Sequence, residues 1–252
     1  MKRFFLLLVI ASVLTISGNA QGLKGMIKNA TSKDSSGKTS VGKILNVPGG
    51  KSSLSADEIA MGLKEALQVG TEKGANKLSA LDGFFKDAAI KILMPAEAQK
   101  AEKTLRNLGL GKQVDNAILS MNRAAEDAAK SAAPIFVNAI KGMSFQDALA
   151  ILRGGDNAAT NYLKDKTTVS LTEAFRPVIE ASLKKVDATK HWNTVFTSYN
   201  KLSPDKVNPD LAAYVTEKAL VGMFYQVAQE EQKIRKDPMA RTSDLLKKVF
   251  SN

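Results

Sequence analysis

The sequence predicts an all-α fold: a single-domain bundle of about eight to ten helices over residues 54–252, reached through a flexible N-terminal tether over 21–53. Three observations carry this. Apolar residues recur at three- and four-residue spacing from Ser55 onward, no alternating strand pattern of useful length interrupts them, and caps and stops punctuate the periodic stretches. Without a single cysteine, stability must come from a packed core, and roughly 200 structured residues suffice to build one.

The first helix is expected to start at Ser55-Ala56-Asp57-Glu58, a capping box, and to run toward Leu78 on Ile59, Leu63, Ala66 and Leu67. Asp82-Gly83 opens a shorter apolar piece through Ile92. Pro95 fits the first turn of the next helix, and Gly109 ends it. From Lys112 to Ala133 the residues Val114, Ile118, Met121, Ala125, Ala128 and Ala132 fall within about 40° of one line at 100° per residue, which makes one buried stripe. Asp115, Asn122 and Glu126 lie on its polar edge and Arg123 on the far side, a pattern that suits an inter-helix hydrogen-bond seam or a ligand site. Pro134 should kink or break this helix, and Ser144 with Asp147 starts another.

The turn Gly154-Gly155-Asp156 closes that helix. A glycine there is expected in the left-handed conformation, with Asp156 as N-cap of the helix that follows. The same amides hold an anion only when free, and the aspartate both occupies and repels. A long segment then runs from Ala158 to about Lys185, followed by a shorter one at Trp192 to Tyr199 and a loop with Pro204 and Pro209. A long helix from Asp210 to about Lys236 and a last one from Thr242 complete the chain. In the penultimate helix Glu230 interrupts a largely apolar stripe of Ala212, Thr216, Ala219, Met223, Val227 and Ile234, so it should need a cation, Arg241 or Arg123. Arg235 is the remaining polar candidate of this region.

Ahead of the domain, Lys2 and Arg3 precede an apolar run from Phe4 to Ile16 and the small residues Gly18-Asn19-Ala20, the pattern of a secretory signal peptide (1–20) cleaved after Ala20. No later stretch is apolar enough to cross a bilayer, and the mature chain is expected to be exported and soluble. The net charge is +11, or +9 without Lys2 and Arg3, with the basic residues spread along the chain. In an exported protein this favours anionic envelope components over nucleic acid, for which no basic cluster interleaved with aromatics is present.

The segments LSMNRAAE (Leu119 to Glu126), GGDNAAT (Gly154 to Thr160), YVTEKALVGMFY (Tyr214 to Tyr225) and EEQKIRKDPMARTSDLLKKVF (Glu230 to Phe250), in this order, resemble the exported bacterial family called domain of unknown function 4197. The resemblance covers nearly everything from Ser55 onward. It implies a helical bacterial envelope protein located in the periplasm and hands over no catalytic residues.

Chemistry is bounded mostly by exclusion. Ser36-Gly37-Lys38-Thr39 imitates the end of a phosphate loop, but Ser32 stands where that motif requires glycine and no strand precedes it; Asn29-Ala30-Thr31 is a chance-level glycosylation pattern. One histidine, His191, and no cysteine remove thiol catalysis and histidine clusters. A serine triad would rest on His191 beside Trp192, with no Gly-x-Ser-x-Gly elbow to present the serine. No metal or cofactor is expected. The expected function is a non-enzymatic envelope protein that binds an anionic component or a periplasmic protein partner. The alternative is a carboxylate-dependent glycan hydrolase or lyase acting on peptidoglycan; Tyr199-Asn200 echoes helical lytic transglycosylases, whose Glu-Ser pair the chain lacks. The polar candidates for binding or structure are Asn122, Arg123, Glu126, Asp156, Glu230, Arg235 and Arg241.

Overall fold

The computed structural model describes residues 55–202, 206, 210–241 and 243–249. The expectations for the signal peptide, the tether, the two motifs inside it, and Pro204 and Pro209 lie outside the described residues, as do the side chains of His191 and Tyr199. Among the described residues there is no strand. The α-helices are α1 (Ala56–Ser79), α2 (Gln99–Asn107), α3 (Gly111–Ala129), α4 (Ala132–Lys141), α5 (Phe145–Arg153), α6 (Ala158–Lys185), α7 (Ala188–Leu202), α8 (Leu211–Lys236) and α9 (Asp244–Val249), with single 3-10 turns at Ala96–Ala98 and Pro238–Ala240.

Local chemistry sets most boundaries. Ser55 caps α1 and Ser144 caps α5, each hydroxyl accepting an amide three residues on while the acid there, Glu58 or Asp147, accepts the serine's own amide. Gly109, with φ of 82°, closes α2: its amide bonds Arg106 O at 3.1 Å, and that of Leu110 bonds Leu105 O at 2.9 Å, a Schellman pair that a Cβ would strain. Helix α3 stops at Ala129, because the ring of Pro134 would clash with the Lys130 carbonyl in a continued helix. The side chain of Asp210 accepts the Ala213 amide at 2.9 Å and starts α8.

One element departs from expectation. Residues 82–92, read as a short apolar piece, belong instead to a run of turns and irregular chain over 80–95, with Asp82 held at φ 68°. What replaces helical hydrogen bonds there becomes clear at the site.

Helix α6 lies against α3, α4, α5, α7 and α8, and α1 packs on α8, α4, α5, α3 and α9. The buried positions Ala159, Leu163, Thr167, Leu171, Phe175, Ile179 and Leu183 step along α6 by four. Each step of four over-rotates by about 40°, so the buried line winds roughly 240° around α6 and meets successive neighbours. The stripe predicted on α3 is buried throughout, including Ala132 beyond the break. Phe136 of α4 and Phe224 of α8 meet edge to face at 6.1 Å near the centre. No single described helix is long and apolar enough to cross a membrane; α4 and α5 do so only as a pair bent by 107°, with Phe136, Ile140 and Ile151 turned into the core.

Candidate functional site

Of the polar candidates, Asn122, Arg123, Glu126 and Arg235 fall in two clamps built around buried carboxylates. On α3, Glu126 has a side chain only 5% exposed and accepts the amides of Phe84 and Phe85 at 3.1 and 3.2 Å, while Arg123, one turn earlier, donates to its other oxygen at 2.6 Å. Arg123 also reaches Asp82 at 2.7 Å, and Lys86 closes the group on Asp82 at 2.8 Å. One helical turn away, Asn122 accepts the Ile92 amide at 2.9 Å and donates to the carbonyls of Ile92 and Ile118 at 2.8 Å each. The segment 80–95 therefore borrows from α3 the partners that a helix would supply internally. Asn122 and Glu126 are buried rather than at a polar edge, and Arg123 turns to Glu126 and Asp82 rather than lying on a far side. The seam that they form joins a helix to a run of turns, not two helices.

The second clamp is built by Glu231 on α8. Its carboxylate accepts the amides of Ala159 and Thr160 at 3.0 and 2.9 Å and the Thr160 hydroxyl at 2.8 Å. Arg235 pairs with it at 2.9 Å from the next turn and donates to Ile151 O at 2.8 Å. The free amides at the start of α6 thus receive an anion that the protein carries itself.

This corrects the reading of the glycine turn. Asp156 is not the N-cap: Asn157 holds that place without a side-chain cap bond, and Asp156 points outward to Lys236 at 2.9 Å, which holds its carboxyl below the usual range. Nor is either glycine left-handed. Gly154 is extended (φ −75°, ψ 170°) and is required by crowding, since a Cβ would lie 2.5 Å from that of Ala158.

Glu230 also differs from expectation. It pairs with Lys233 at 2.5 Å and accepts from Gln226, whose own oxygen takes Lys77 of α1 at 2.9 Å. Neither Arg123 nor Arg241 is its partner. Arg241 instead donates to the Ile234 and Arg235 carbonyls at 3.1 and 3.0 Å, closing the end of α8. At 100° per residue Glu231 lies about 40° from Val227 and Glu230 about 60° away on the other side, so the deeper carboxylate is the neighbour of the one singled out.

Sequence reasoning missed Glu231, although its i,i+4 spacing to Arg235 is a recognisable pairing signal. It also missed a shallow groove of about 200 Å³ between residues 89–93 and α8, lined by Lys91, Leu93, Tyr214, Lys218 and Val221. A second hollow, about 440 Å³, is lined by Ala96, Glu97, Lys100 and Lys206. No buried side-chain nitrogen or oxygen lacks a partner among the described residues, and no group of three or more acids or histidines there is placed to hold a metal ion.

Fold and clamps together define an all-helical protein whose most distinctive polar residues hold its own backbone. The first, second and fourth motifs carry clamp residues, and the third lies on α8. The chain belongs to the family described as protein of unknown function, DUF4197, whose model matches residues 53–251. No curated protein and no solved structure matches the chain.

Proposed function

We propose that this is an exported, periplasmic, non-enzymatic helical protein of the cell envelope, which binds an anionic envelope component or an envelope protein. The observation that carries the reading is the saturation of the two clamps: Asn122, Arg123, Glu126, Glu231 and Arg235 are engaged with main-chain groups and one another, which suits a scaffold rather than a reacting centre. The signal-peptide pattern and the positive charge remaining after its removal supply location and partner sign. Of the two hollows described, one carries the single carboxylate Glu97 and the other none. Glycan cleavage by paired acids needs two, roughly 5 to 10 Å apart, so the hydrolase reading is the weaker.

The test is co-sedimentation of the mature protein with vesicles. Weak binding to anionic vesicles that fades as salt shortens the electrostatic reach to about 8 Å and below is expected, with far less on neutral ones. N-terminal sequencing of the periplasmic protein should start at Gln21. Equal binding to both vesicle types, or retention of Phe4 to Ile16, would sink the corresponding half of the proposal.

A further inference from the structure

We infer that the groove between residues 89–93 and α8 is a docking site for an acidic peptide segment of a partner protein, which seats one large apolar side chain between Leu93 and Val221 and sets a carboxylate on Lys91. This rests on the envelope-binding reading above and gives it a place on the molecule.

Size argues first. At about 200 Å³ the groove falls below the roughly 300 to 1,000 Å³ of sites that enclose a small molecule, so it suits one side chain presented by a larger body rather than a ligand taken in whole. The walls are apolar and open. Leu93 is 55% and Val221 58% exposed, while Ile90 forms a buried floor. The walls are also fixed relative to each other, because the Tyr214 hydroxyl on α8 donates to Leu93 O at 2.8 Å. Burial, with Glu217 and Glu97 nearby, pushes that phenol up to about 12, so it stays a protonated donor at neutral pH and the tie persists. A groove already formed spares a partner the cost of ordering it.

Charge decides the sign of the occupant. Lys91 and Lys218 stand on opposite walls; Glu217 pairs with Lys218 at 3.3 Å, Glu97 lies toward the Tyr214 end, and Asp87, one turn before Lys91, accepts the Ala89 amide at 3.1 Å and pairs with Lys77 at 3.4 Å. Lys91 makes no ion pair among the described residues. Its ammonium rests 3.9 Å over the Phe85 ring, and Phe85 is anchored through its amide to Glu126. The cation is therefore positioned yet unneutralised, which favours a carboxylate arriving beside an apolar side chain.

The experiment is selection of a random heptapeptide library on the mature protein, followed by fluorescence polarisation with the most enriched peptide made synthetically. Enrichment of a large apolar residue next to Asp or Glu is expected. Lys91→Glu should weaken the peptide about tenfold, Lys91→Gln less, and Val221→Glu should remove measurable binding, with all three variants melting like wild type. Absence of an apolar-acidic consensus, or binding unchanged in Lys91→Glu and Val221→Glu, overturns the docking site. So does loss of anionic-vesicle binding in those variants when no peptide consensus emerges, which would make the occupant a lipid surface. Peptide binding without any vesicle binding would leave the groove standing and remove lipid from the envelope reading.

Discussion

Adjacent glutamates on α8 carry different burdens. Glu231 is 5% exposed in its side chain and holds two amides, a hydroxyl and Arg235, whereas Glu230 faces Lys233, which is 57% exposed. Glu231→Leu should cost roughly 3 to 5 kcal/mol in denaturant unfolding, since it strands a largely buried guanidinium and the first amides of α6. Glu230→Leu should cost less, about 1 to 2 kcal/mol: Lys233 can turn to water, but the amide of buried Gln226 loses its acceptor. Equal losses would show that the clamp is not where the stability lies. The sequence signalled a buried charge in this stretch but placed it one residue early. The capping box at Ser55, the helix start at Ser144 with Asp147 and the stop at Gly109 were legible because donor and acceptor lie within one turn. The clamps were not, since Glu231 reaches amides 71 and 72 residues away and Asn122 reaches Ile92 across 30. An amide is common to every residue but proline, so nothing in the sequence at 84, 92 or 159 marks it as a target.

Among the elements, α9 leans on α1. Its six residues pack on α1, where a Cβ at Gly62 would lie 2.8 Å from Val249 Cγ2 and 3.1 Å from Leu245 Cγ. Gly62→Leu should therefore displace α9 rather than disrupt the core, at a cost of about 1 to 3 kcal/mol, the usual range for overpacking. Limited proteolysis with mass spectrometry would then trim the chain after Ser243 while α1 to α8 stay protected; a variant that resists trimming would mean α9 absorbs the change in place. Helix α6 shows why amphipathic reading works unevenly. On α3 a single line of apolar residues was visible, but on α6 the buried line winds, so no one face collects the apolar residues. Its length was recoverable from the sequence, and its central position was not. Residues 80–95 show the converse, an apolar content that fits a helix in a segment where the amides of Phe84, Phe85 and Ile92 are taken by α3.

The whole molecule combines a basic balance with carboxylates that are well satisfied along its length. Glu58, Asp82, Asp147 and Asp156 are each held below the usual carboxylate range, by Ser55, by Lys86 then Arg123, by Ser144 and by Lys236 respectively. A carboxyl whose pKa is lower folded than unfolded contributes fully above its unfolded value near 4, and the contribution is lost as pH falls through the folded value. Denaturation midpoints should accordingly be flat near neutrality and fall below about pH 4, where the growing positive charge adds repulsion. Asp82→Asn should flatten that fall slightly. Midpoints that rise on acidification would contradict the linkage.

Glu126 and Asn122 touch only main-chain atoms of the segment they hold, at Phe84, Phe85 and Ile92. A grip of this kind is indifferent to the identity of what it grips. In a saturating substitution scan, Ile92 should be judged on the room its side chain occupies and Phe85 also on its ring under Lys91, whereas positions 122 and 126 should accept almost nothing. Proline stands apart: at 84, 85 or 92 it removes the hydrogen that is being held, and should mimic loss of the holder.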